Sequence, residues 1–349
     1  MSVIELIMKV LVTGAFGNVG QSTLKALFGK GYDIRTFDIK TKINERTAKK
    51  LIKKMNFEIF WGDIRDKVSV EKAVKDVECI IHLAAIIPPL SEINPDFAYS
   101  VNVEGSRNLI NAAKKRVPKP KFIFTSSVSV YGRQQNNPPP RKITDELKPI
   151  EKYGEHKIII EKELKSSGLP WTIFRLGAVT AFYNPWKIPD ILFEIPLEQR
   201  IEIVHTLDVG RACANAIETP TEGKILHIGG GKRCQMYQRD YISQMLEAMG
   251  IGMLPDVAFK APKREEDWYH VDWMDTEEAQ RLLKYQQLTL NDFIKELKRK
   301  TIFQRGLIWL LKPIVRLWLL NKSKYYRKYK KLQRKEKAKI TALTISAKH

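Results

Sequence analysis

The sequence predicts an α/β protein with a doubly wound parallel sheet, a small C-terminal lobe and a basic amphipathic tail. Short apolar runs alternate with amphipathic stretches through the first half of the chain. The runs are apolar almost throughout, as is typical of strands that helices cover on both faces. Positive charge is concentrated at the C-terminal end.

The predicted elements follow in order along the chain. Apolar runs of strand length lie at 8–13, 33–37, 57–61, 79–83 and 121–125, with helical patterns between them at 18–30, 45–55, 67–75 and 103–116. A second region begins after Gly168. It contains strands at 171–176 and 225–228, and helices at 207–218, 237–249, 276–283 and 290–297.

Composition excludes several protein classes. With 44% hydrophobic residues the chain can bury a core. It contains no run of about 18 uncharged apolar residues, which argues against a multi-pass membrane protein. The net charge is +21, but the segment from Lys298 onward holds 17 basic residues and one acidic residue, which leaves +5 for the remainder. The basicity therefore belongs to the tail.

Cysteine usage and the N-terminus favour an intracellular setting. Cys79, Cys213 and Cys234 are far apart and form no CxxC pair, so neither a disulfide framework nor a cysteine metal site is predicted. The first residues do not show the pattern of a secretory signal.

A glycine-rich turn between the first strand and the first helix predicts a dinucleotide site. Gly14 permits a tight turn, Gly17 lets the backbone approach a pyrophosphate, and Gly20 allows close packing of helix on strand. The helix N-terminus then offers N–H groups to the phosphates. The residues expected to contact the cofactor here are Gly14, Phe16, Gly17, Asn18, Val19 and Gly20.

Acidic residues follow the second and third predicted strands. Asp38 lies where a carboxylate can accept hydrogen bonds from the adenosine ribose and repel a 2′-phosphate, which favours NAD. Lys40 and Lys42 lie close enough to Asp38 that NADP stays open as the less favoured cofactor. Asp63 can either reach the adenine edge or serve only as a turn residue.

Tyr153 and Lys157 are spaced i and i+4, so on a helix they share one face. An ammonium beside a phenol is expected to lower its pKa from the ordinary value of about 10, toward the range where proton exchange occurs near neutral pH. The same spacing also occurs on solvated helix surfaces, but the glycine turn upstream favours the catalytic interpretation.

In this order and spacing the motifs resemble the extended short-chain dehydrogenase/reductase family of the NAD-dependent epimerase/dehydratase type. The resemblance covers roughly residues 8–300. The matching segments are Gly14–Gly20, Asp38, Gly62–Ile64, His82–Ala85, Asn102–Gly105, Thr125–Ser127, Val130–Gly132 and Tyr153–Lys157.

The resemblance implies a Rossmann-type NAD domain at 8–176, which later segments can rejoin, a substrate lobe at 177–300 and a tail at 301–349. It implies hydride transfer at a secondary alcohol or ketone carbon, in which Ser127 holds the substrate oxygen, Tyr153 is the acid/base and Lys157 tunes Tyr153 and grips the cofactor. A homodimer is also implied. Other residues expected at the NAD site are Ile64, Leu83, Ala84, Ala85 and Asn102, the last also holding the catalytic helix and a water relay.

The substrate is less well defined by the sequence. After Arg175 the chain lacks the asparagine stretch and Tyr-Gly-Pro turn of nucleotide-sugar enzymes, so a nucleotide-sugar epimerase is kept only as an alternative. A dehydratase is least favoured, because Val128 and Ser129 supply no additional acid/base pair. A non-catalytic NAD sensor or scaffold is the alternative of another class. An apolar or amphiphilic substrate would suit the lobe residues Phe182, Tyr183, Trp186, Ile188, Ile191 and Phe193, which can equally form the lobe's own core.

The tail combines an apolar helix with a basic cluster. Arg305, Lys312 and Arg316 fall in a narrow stripe of the apolar segment 302–320, and Pro313 is expected to kink it. We expect residues 302–331 to lie on an anionic membrane surface with the basic side chains snorkelling, which predicts a cytoplasmic, peripheral location at the inner face. The alternatives are a helix packed on a partner subunit and, as the least favoured, an RNA-binding tail.

Overall fold

The computed structural model of the protein describes residues 7–180, 188 and 190–346. Its main feature is a seven-stranded sheet of order β3-β2-β1-β4-β5-β6-β9, in which every neighbouring pair is parallel. A small second sheet has the order β10-β8-β7. The strands are β1 Lys9–Thr13, β2 Asp33–Asp38, β3 Glu58–Trp61, β4 Cys79–His82, β5 Lys121–Ser127, β6 Trp171–Leu176, β7 Ala178–Val179, β8 Arg200–Val204, β9 Lys224–Ile228 and β10 Gln235–Tyr237.

Helices precede and follow the strands as the periodicity predicts, with a π-helical turn at Ser100–Gly105 before α6. The helices are α1 Asn18–Gly29, α2 Lys42–Leu51, α3 Lys67–Ala73, α4 Leu90–Ile93, α5 Pro95–Tyr99, α6 Ser106–Lys114, α7 Lys152–Lys165, α8 Ile191–Glu194, α9 Thr206–Glu218, α10 Gln238–Ala248, α11 Glu277–Leu283, α12 Leu290–Lys300, α13 Ile302–Leu310, α14 Lys312–Lys322 and α15 Lys324–Ser346.

The large sheet is doubly wound, as predicted. Successive residues of β1 point to opposite faces, and each face has its own core. Val10 and Val12 pack in one core with α1 and α9, whereas Leu11 packs in the other with α3 and α6. All three are fully buried, which explains why the strand reads as a continuous apolar run.

The chain returns to the large sheet after the lobe begins. β9 pairs with β6, and α9 packs against α1. The strand order reverses between β1 and β4, and the carboxyl ends of parallel strands at such a switch point are where ligands bind in open α/β sheets. The topology therefore places the predicted site at this edge.

The lobe contains strands that the sequence did not predict. In β8, Arg200 and Glu202 alternate with Ile201 and Ile203, but Glu202 is buried too. Its carboxylate accepts hydrogen bonds from the backbone N–H of Gly231 and Met274 and from the Gln235 side chain. Such tertiary partners cannot be read from the strand's own residues.

The aromatic and aliphatic lobe residues that would suit an apolar substrate differ in burial. Ile188 and Phe193 lie in the lobe's core, whereas Ile191 is 38% exposed. Phe182, Tyr183 and Trp186 lie outside the described residues.

The tail begins as two helices that pack on the lobe. α13 ends at Leu310 and α14 begins at Lys312, with Pro313 in its first turn, so the predicted break is confirmed. Ile308, Val315 and Leu319 are buried in the lobe's core.

The predicted snorkelling of the basic stripe is wrong for Arg316. Its guanidinium donates hydrogen bonds to the carbonyl oxygens of Ile251 and Gly252, both at 3.0 Å, because the stripe faces the lobe. Several large apolar side chains on the other faces are exposed: Ile302, Phe303, Leu307, Trp309, Leu310, Ile314 and Leu317. Within the described part of the chain, no helix is both long and apolar enough to cross a bilayer.

Candidate functional site

The glycine turn after β1 forms a cradle that excludes side chains. Gly14 adopts φ +65°, and its N–H donates to the Phe37 carbonyl at 3.0 Å. A Cβ at Gly14 would lie 2.8 Å from the backbone of Ala84, and one at Gly20 would lie 2.3 Å from the Gly14 carbonyl oxygen. Gly17 is the N-cap of α1, so the helix N-terminus opens onto the turn.

Asp38 ends β2 and faces this turn. Its carboxylate accepts hydrogen bonds from the backbone N–H of Phe16 at 3.0 Å, from that of Ile39 at 2.9 Å and from the Asn44 amide at 3.2 Å. Burial raises the pKa of Asp38, and the two backbone hydrogen bonds oppose that shift. Asp38 therefore ties β2 to the glycine turn.

A cavity of about 290 Å³ lies at the switch point, and we call it the switch-point cavity. Its backbone cradle is the kind of surface that a pyrophosphate requires, and a carboxylate lies where a ribose would bind. The residues present thus fit NAD. The predicted cofactor residues that line this cavity are Gly14, Gly17, Asp38, Asp63, Ile64, Leu83, Ala84 and Ala85.

Other predicted cofactor residues hold the surrounding structure. The Phe16 ring packs 5.2 Å from that of Trp61, and the Asn18 amide donates to the Thr180 carbonyl at 2.9 Å. Val19 is partly buried against the core of the α1 face. Asn102 clamps the backbone of Ile86 through both its oxygen and its nitrogen, at 2.7 and 2.8 Å.

Asp63 also makes its contacts within the protein. Its carboxylate pairs with the Arg65 guanidinium at 2.6 Å, and this hydrogen bond lowers the pKa of Asp63. The turn interpretation thus accounts for its side-chain contacts, although Asp63 also lines the switch-point cavity.

Tyr153 and Lys157 lie on one face of α7, as predicted, with the Lys157 Nζ 5.4 Å from the centre of the Tyr153 ring. The ammonium donates to the Thr125 carbonyl oxygen at 2.7 Å, at the end of β5 where Ser127 also lies. Ser127 Oγ accepts a hydrogen bond from the Ser129 N–H at 3.1 Å. The structure thus brings the β5 end and the α7 face together.

The predicted lowering of the Tyr153 pKa is not what the structure shows. Burial raises the pKa of Tyr153, and the nearby Glu151 carboxylate adds to the rise. Burial also lowers the pKa of Lys157 to about 7, so that the buried amine loses part of the charge that would stabilise a phenolate.

A buried network that the sequence did not predict holds α7 on the sheet. Glu161 pairs with the Arg175 guanidinium at 2.7 Å and accepts a hydrogen bond from Ser126 Oγ at 2.6 Å. Arg175 also donates to the Tyr131 hydroxyl at 2.7 Å, which contacts His227 Nε2 at 2.6 Å. Burial lowers the pKa of His227 to about 3, so this imidazole is neutral. The only sequence signal is the i, i+4 spacing of Lys157 and Glu161.

A second cavity of about 720 Å³ lies between the carboxyl edge of the sheet and the lobe, and we call it the lobe cavity. Among the described residues its charged lining consists only of carboxylates, from Glu92, Glu151, Asp190 and Glu194. Most of the remaining lining is apolar and includes Ile93, Val179, Ile201, Ile203, Tyr241 and Met245.

The lobe cavity adjoins the start of α7. Glu92 accepts hydrogen bonds from the backbone N–H of Lys152 at 3.0 Å and of Tyr153 at 3.1 Å. Glu151 Oε2 lies 3.6 Å from His270 Nδ1, and neither buried atom has a hydrogen-bond partner within the described residues. Burial and the charge of Glu92 raise the pKa of Glu151 to about 7. No spacing in the sequence pointed to this pair.

The comparison with protein families gives a match over residues 10–229 to the NAD dependent epimerase/dehydratase family. That range includes the glycine turn, Asp38, Ser127, Tyr153 and Lys157. The chain belongs to this family.

Individual relatives fall into more than one chemical group. UDP-glucose 4-epimerase of Lactobacillus helveticus is 32% identical over 177 residues, which are 48% of this chain and 51% of that protein. The human sterol-4-alpha-carboxylate 3-dehydrogenase, decarboxylating, is 29% identical over 170 residues, 48% of this chain and 42% of that protein. The chain thus spans about half the length of the curated relatives it matches.

Among solved structures, UDP-glucuronic acid 4-epimerase from Bacillus cereus, in complex with UDP-glucuronic acid and NAD, superposes with a TM-score of 0.69. It is 25% identical, with coverage of 85% of this chain and 99% of that one. These comparisons confirm the predicted fold, the predicted family and the prediction of an NAD-dependent enzyme. NAD is the cofactor of the family. The roles of the individual site residues and the three domain ranges stay predictions.

We expect Gly20→Ala to weaken NAD binding more than tenfold and to lower the unfolding temperature. The new Cβ would lie within 2.5 Å of the carbonyl oxygens of Gly14 and Ala15, so α1 must shift away from the turn. Isothermal titration with NAD and thermal unfolding measure the two effects.

Gly29→Ala is the matched control, because it adds the same methyl group to the same helix with no atom within 4 Å. It should retain NAD affinity. Unchanged NAD binding by Gly20→Ala would show that the close approach of helix and turn is not required.

Proposed function

We propose that this protein is an NAD-dependent dehydrogenase that acts at a secondary alcohol or ketone carbon of an amphiphilic substrate. The observation that carries the proposal is the lobe cavity, which is apolar over most of its lining and adjoins the α7 turn that bears Tyr153. An apolar cavity with a few polar groups at one end suits a ligand with a long apolar part and a hydroxyl or ketone head.

The charges of the lobe cavity argue against a nucleotide sugar. A diphosphate carries two negative charges and is normally bound by arginine, lysine or a helix N-terminus. The described charged residues of the lining are instead Glu92, Glu151, Asp190 and Glu194, so the described lining offers no basic side chain to bind a diphosphate. Relatives of both kinds exist, and the lack of basic side chains in the described lining supports the less charged substrate.

The positions of these residues support the following roles. Gly14, Gly17 and Asp38 hold NAD, which when bound supplies the hydride acceptor or donor. Ser127 positions the substrate oxygen and Tyr153 exchanges its proton with that oxygen. The Lys157 ammonium, held by the Thr125 carbonyl, stabilises the deprotonated phenol when the lysine is charged.

We expect gently purified protein to carry little NAD and to reduce added NAD in the presence of an apolar secondary alcohol such as a 3β-hydroxysteroid. Native mass spectrometry measures retained cofactor, and NADH fluorescence measures oxidation of the alcohol. Conversion of UDP-glucose, the comparison substrate, is measured by chromatography of the sugar nucleotide, because an epimerase regenerates its NAD and forms no net NADH. About one retained NAD per chain with turnover of UDP-glucose would instead establish the nucleotide-sugar epimerase. A protein that binds NAD and never reduces it would favour the non-catalytic sensor.

Tyr153→Phe should lower turnover by about 10²- to 10⁴-fold, the usual contribution of a positioned acid/base, and leave NAD affinity within a few fold. Tyr237→Phe removes a hydroxyl from an exposed tyrosine of the lobe and should retain full activity. Stopped assays with the active alcohol and titration with NAD measure both quantities. Activity of Tyr153→Phe equal to that of Tyr237→Phe would refute the acid/base assignment.

We further propose that the tail attaches the protein to an anionic membrane. α13 leaves Phe303, Trp309 and Leu310 at least 70% exposed, and the basic cluster 321–331 follows at the end of α14 and the start of α15. Exposed apolar side chains beside lysines and arginines combine two contributions to membrane binding, and the electrostatic one is worth about 1 kcal/mol per basic residue near the surface. A homodimer stays a prediction.

Substituting Phe303, Trp309 and Leu310 together by serine should weaken binding to vesicles of phosphatidylcholine and phosphatidylglycerol at least tenfold, measured by co-sedimentation. Truncation is unsuitable because Ile308, Val315 and Leu319 are part of the lobe's core. The control variant carries serine in place of Ile43, Val68 and Val117, which are exposed apolar residues of the predicted NAD domain. This variant should bind vesicles as the unmodified protein does. Equal binding by both variants would exclude the tail as the membrane contact.

A further inference from the structure

The tail contacts the wall of the lobe cavity directly. Residues 190–195, which we call the rim segment, contribute Asp190, Ile191 and Glu194 to the cavity lining. Lys322, at the end of α14, lies 3.1 Å from the Asp190 carboxylate and donates to the Ile188 carbonyl at 2.8 Å. At the start of α15, Lys324 pairs with Glu194 at 2.8 Å.

A third contact completes this connection, which we call the latch and define as Lys322, Lys324 and Tyr325. The Tyr325 hydroxyl donates to the Glu194 carboxylate at 2.7 Å. Between the two lysines, Ser323 is fully buried, and its hydroxyl donates to the Ala258 carbonyl at 2.5 Å. The latch is therefore fixed both to the lobe and to the rim segment.

The edge of the lobe cavity is apolar and exposed. Ile93 is 74% exposed and Ile191 is 38% exposed, yet both line the cavity. They come from different parts of the chain, α4 and the rim segment. Large exposed apolar side chains at the edge of a binding cavity indicate a surface that another apolar phase covers.

The charges of the rim segment are compatible with an anionic membrane only because of the latch. Asp190 and Glu194 would be repelled by acidic headgroups, but each is paired with a latch lysine. The same two lysines continue into the basic cluster. The latch thus neutralises the rim segment and joins it to the start of the basic cluster.

We propose that the edge of the lobe cavity, formed by Ile93 and the rim segment, docks on the anionic membrane and that the latch holds it there. This inference rests on the proposed membrane attachment and deepens the proposed function, since a cavity that opens on the bilayer takes its substrate from the lipid phase. The substrate class is then an amphiphilic secondary alcohol or ketone that resides in the membrane.

Hydrogen–deuterium exchange of the full-length protein tests the proposal, with and without vesicles of phosphatidylcholine and phosphatidylglycerol. We expect vesicles to slow exchange at least twofold in α13 and α14, in the rim segment and in the peptide that contains Ile93. Ile93 makes no latch contact among the described hydrogen bonds and ion pairs, so its protection would report docking of the cavity edge as a whole.

A pair of matched variants isolates the latch. Lys322→Ala with Lys324→Ala removes both lysine contacts, whereas Lys328→Ala with Lys331→Ala removes the same charge from exposed positions of α15. Both variants should bind vesicles equally and keep protection of α13 and α14. Only the latch variant should lose protection at the rim segment and at Ile93.

Each other outcome overturns a stated part of the proposal. Absence of vesicle binding by the unmodified protein would refute membrane attachment itself. Protection confined to α13 and α14 would leave membrane attachment intact and refute docking of the cavity edge. Protection of the rim segment that survives in the latch variant would refute the role of the latch. Thermal unfolding and NAD titration of each variant verify that it is folded.

Discussion

The geometry of the candidate site depends on one buried ion pair, between Glu161 of α7 and Arg175 of β6. Both side chains are at most 2% exposed, so their charges are desolvated and are tolerable only because they satisfy each other and their neighbours. Loss of one partner from such a pair typically costs about 3–5 kcal/mol. Because Glu161 lies one turn from Lys157, the same pair fixes how α7 presents Tyr153 and Lys157 to the end of β5.

The switch-point cavity and the lobe cavity differ in their chemistry. The switch-point cavity offers a backbone cradle suited to a pyrophosphate and the half-buried Asp38 carboxylate suited to an uncharged ribose. The lobe cavity is lined mainly by apolar side chains, and its described charged residues are all acidic. Burial raises the pKa of Tyr153 and lowers that of Lys157.

The tail has two structural roles that its composition alone does not separate. Ile308, Val315 and Leu319 complete the core of the lobe, whereas the opposite faces of the same helices are exposed. The basic residues are divided in the same way: Arg316 binds backbone carbonyls of the lobe, and Lys322 and Lys324 bind the cavity wall. The amphipathic pattern thus has one face buried against the lobe and another face exposed.

Sequence patterns predicted the parallel sheet, the glycine turn with Asp38, and the shared helix face of Tyr153 and Lys157, because each depends on local periodicity or on spacing over a short segment. Tertiary structure decided what joins distant segments: the Glu161–Arg175 network, the burial of Glu202, the approach of Glu151 to His270 and the contact of Lys322 with Asp190. It also reversed the expected pKa shift of Tyr153. Burial and long-range contacts set these properties, and neither leaves a periodic signal in the residues concerned.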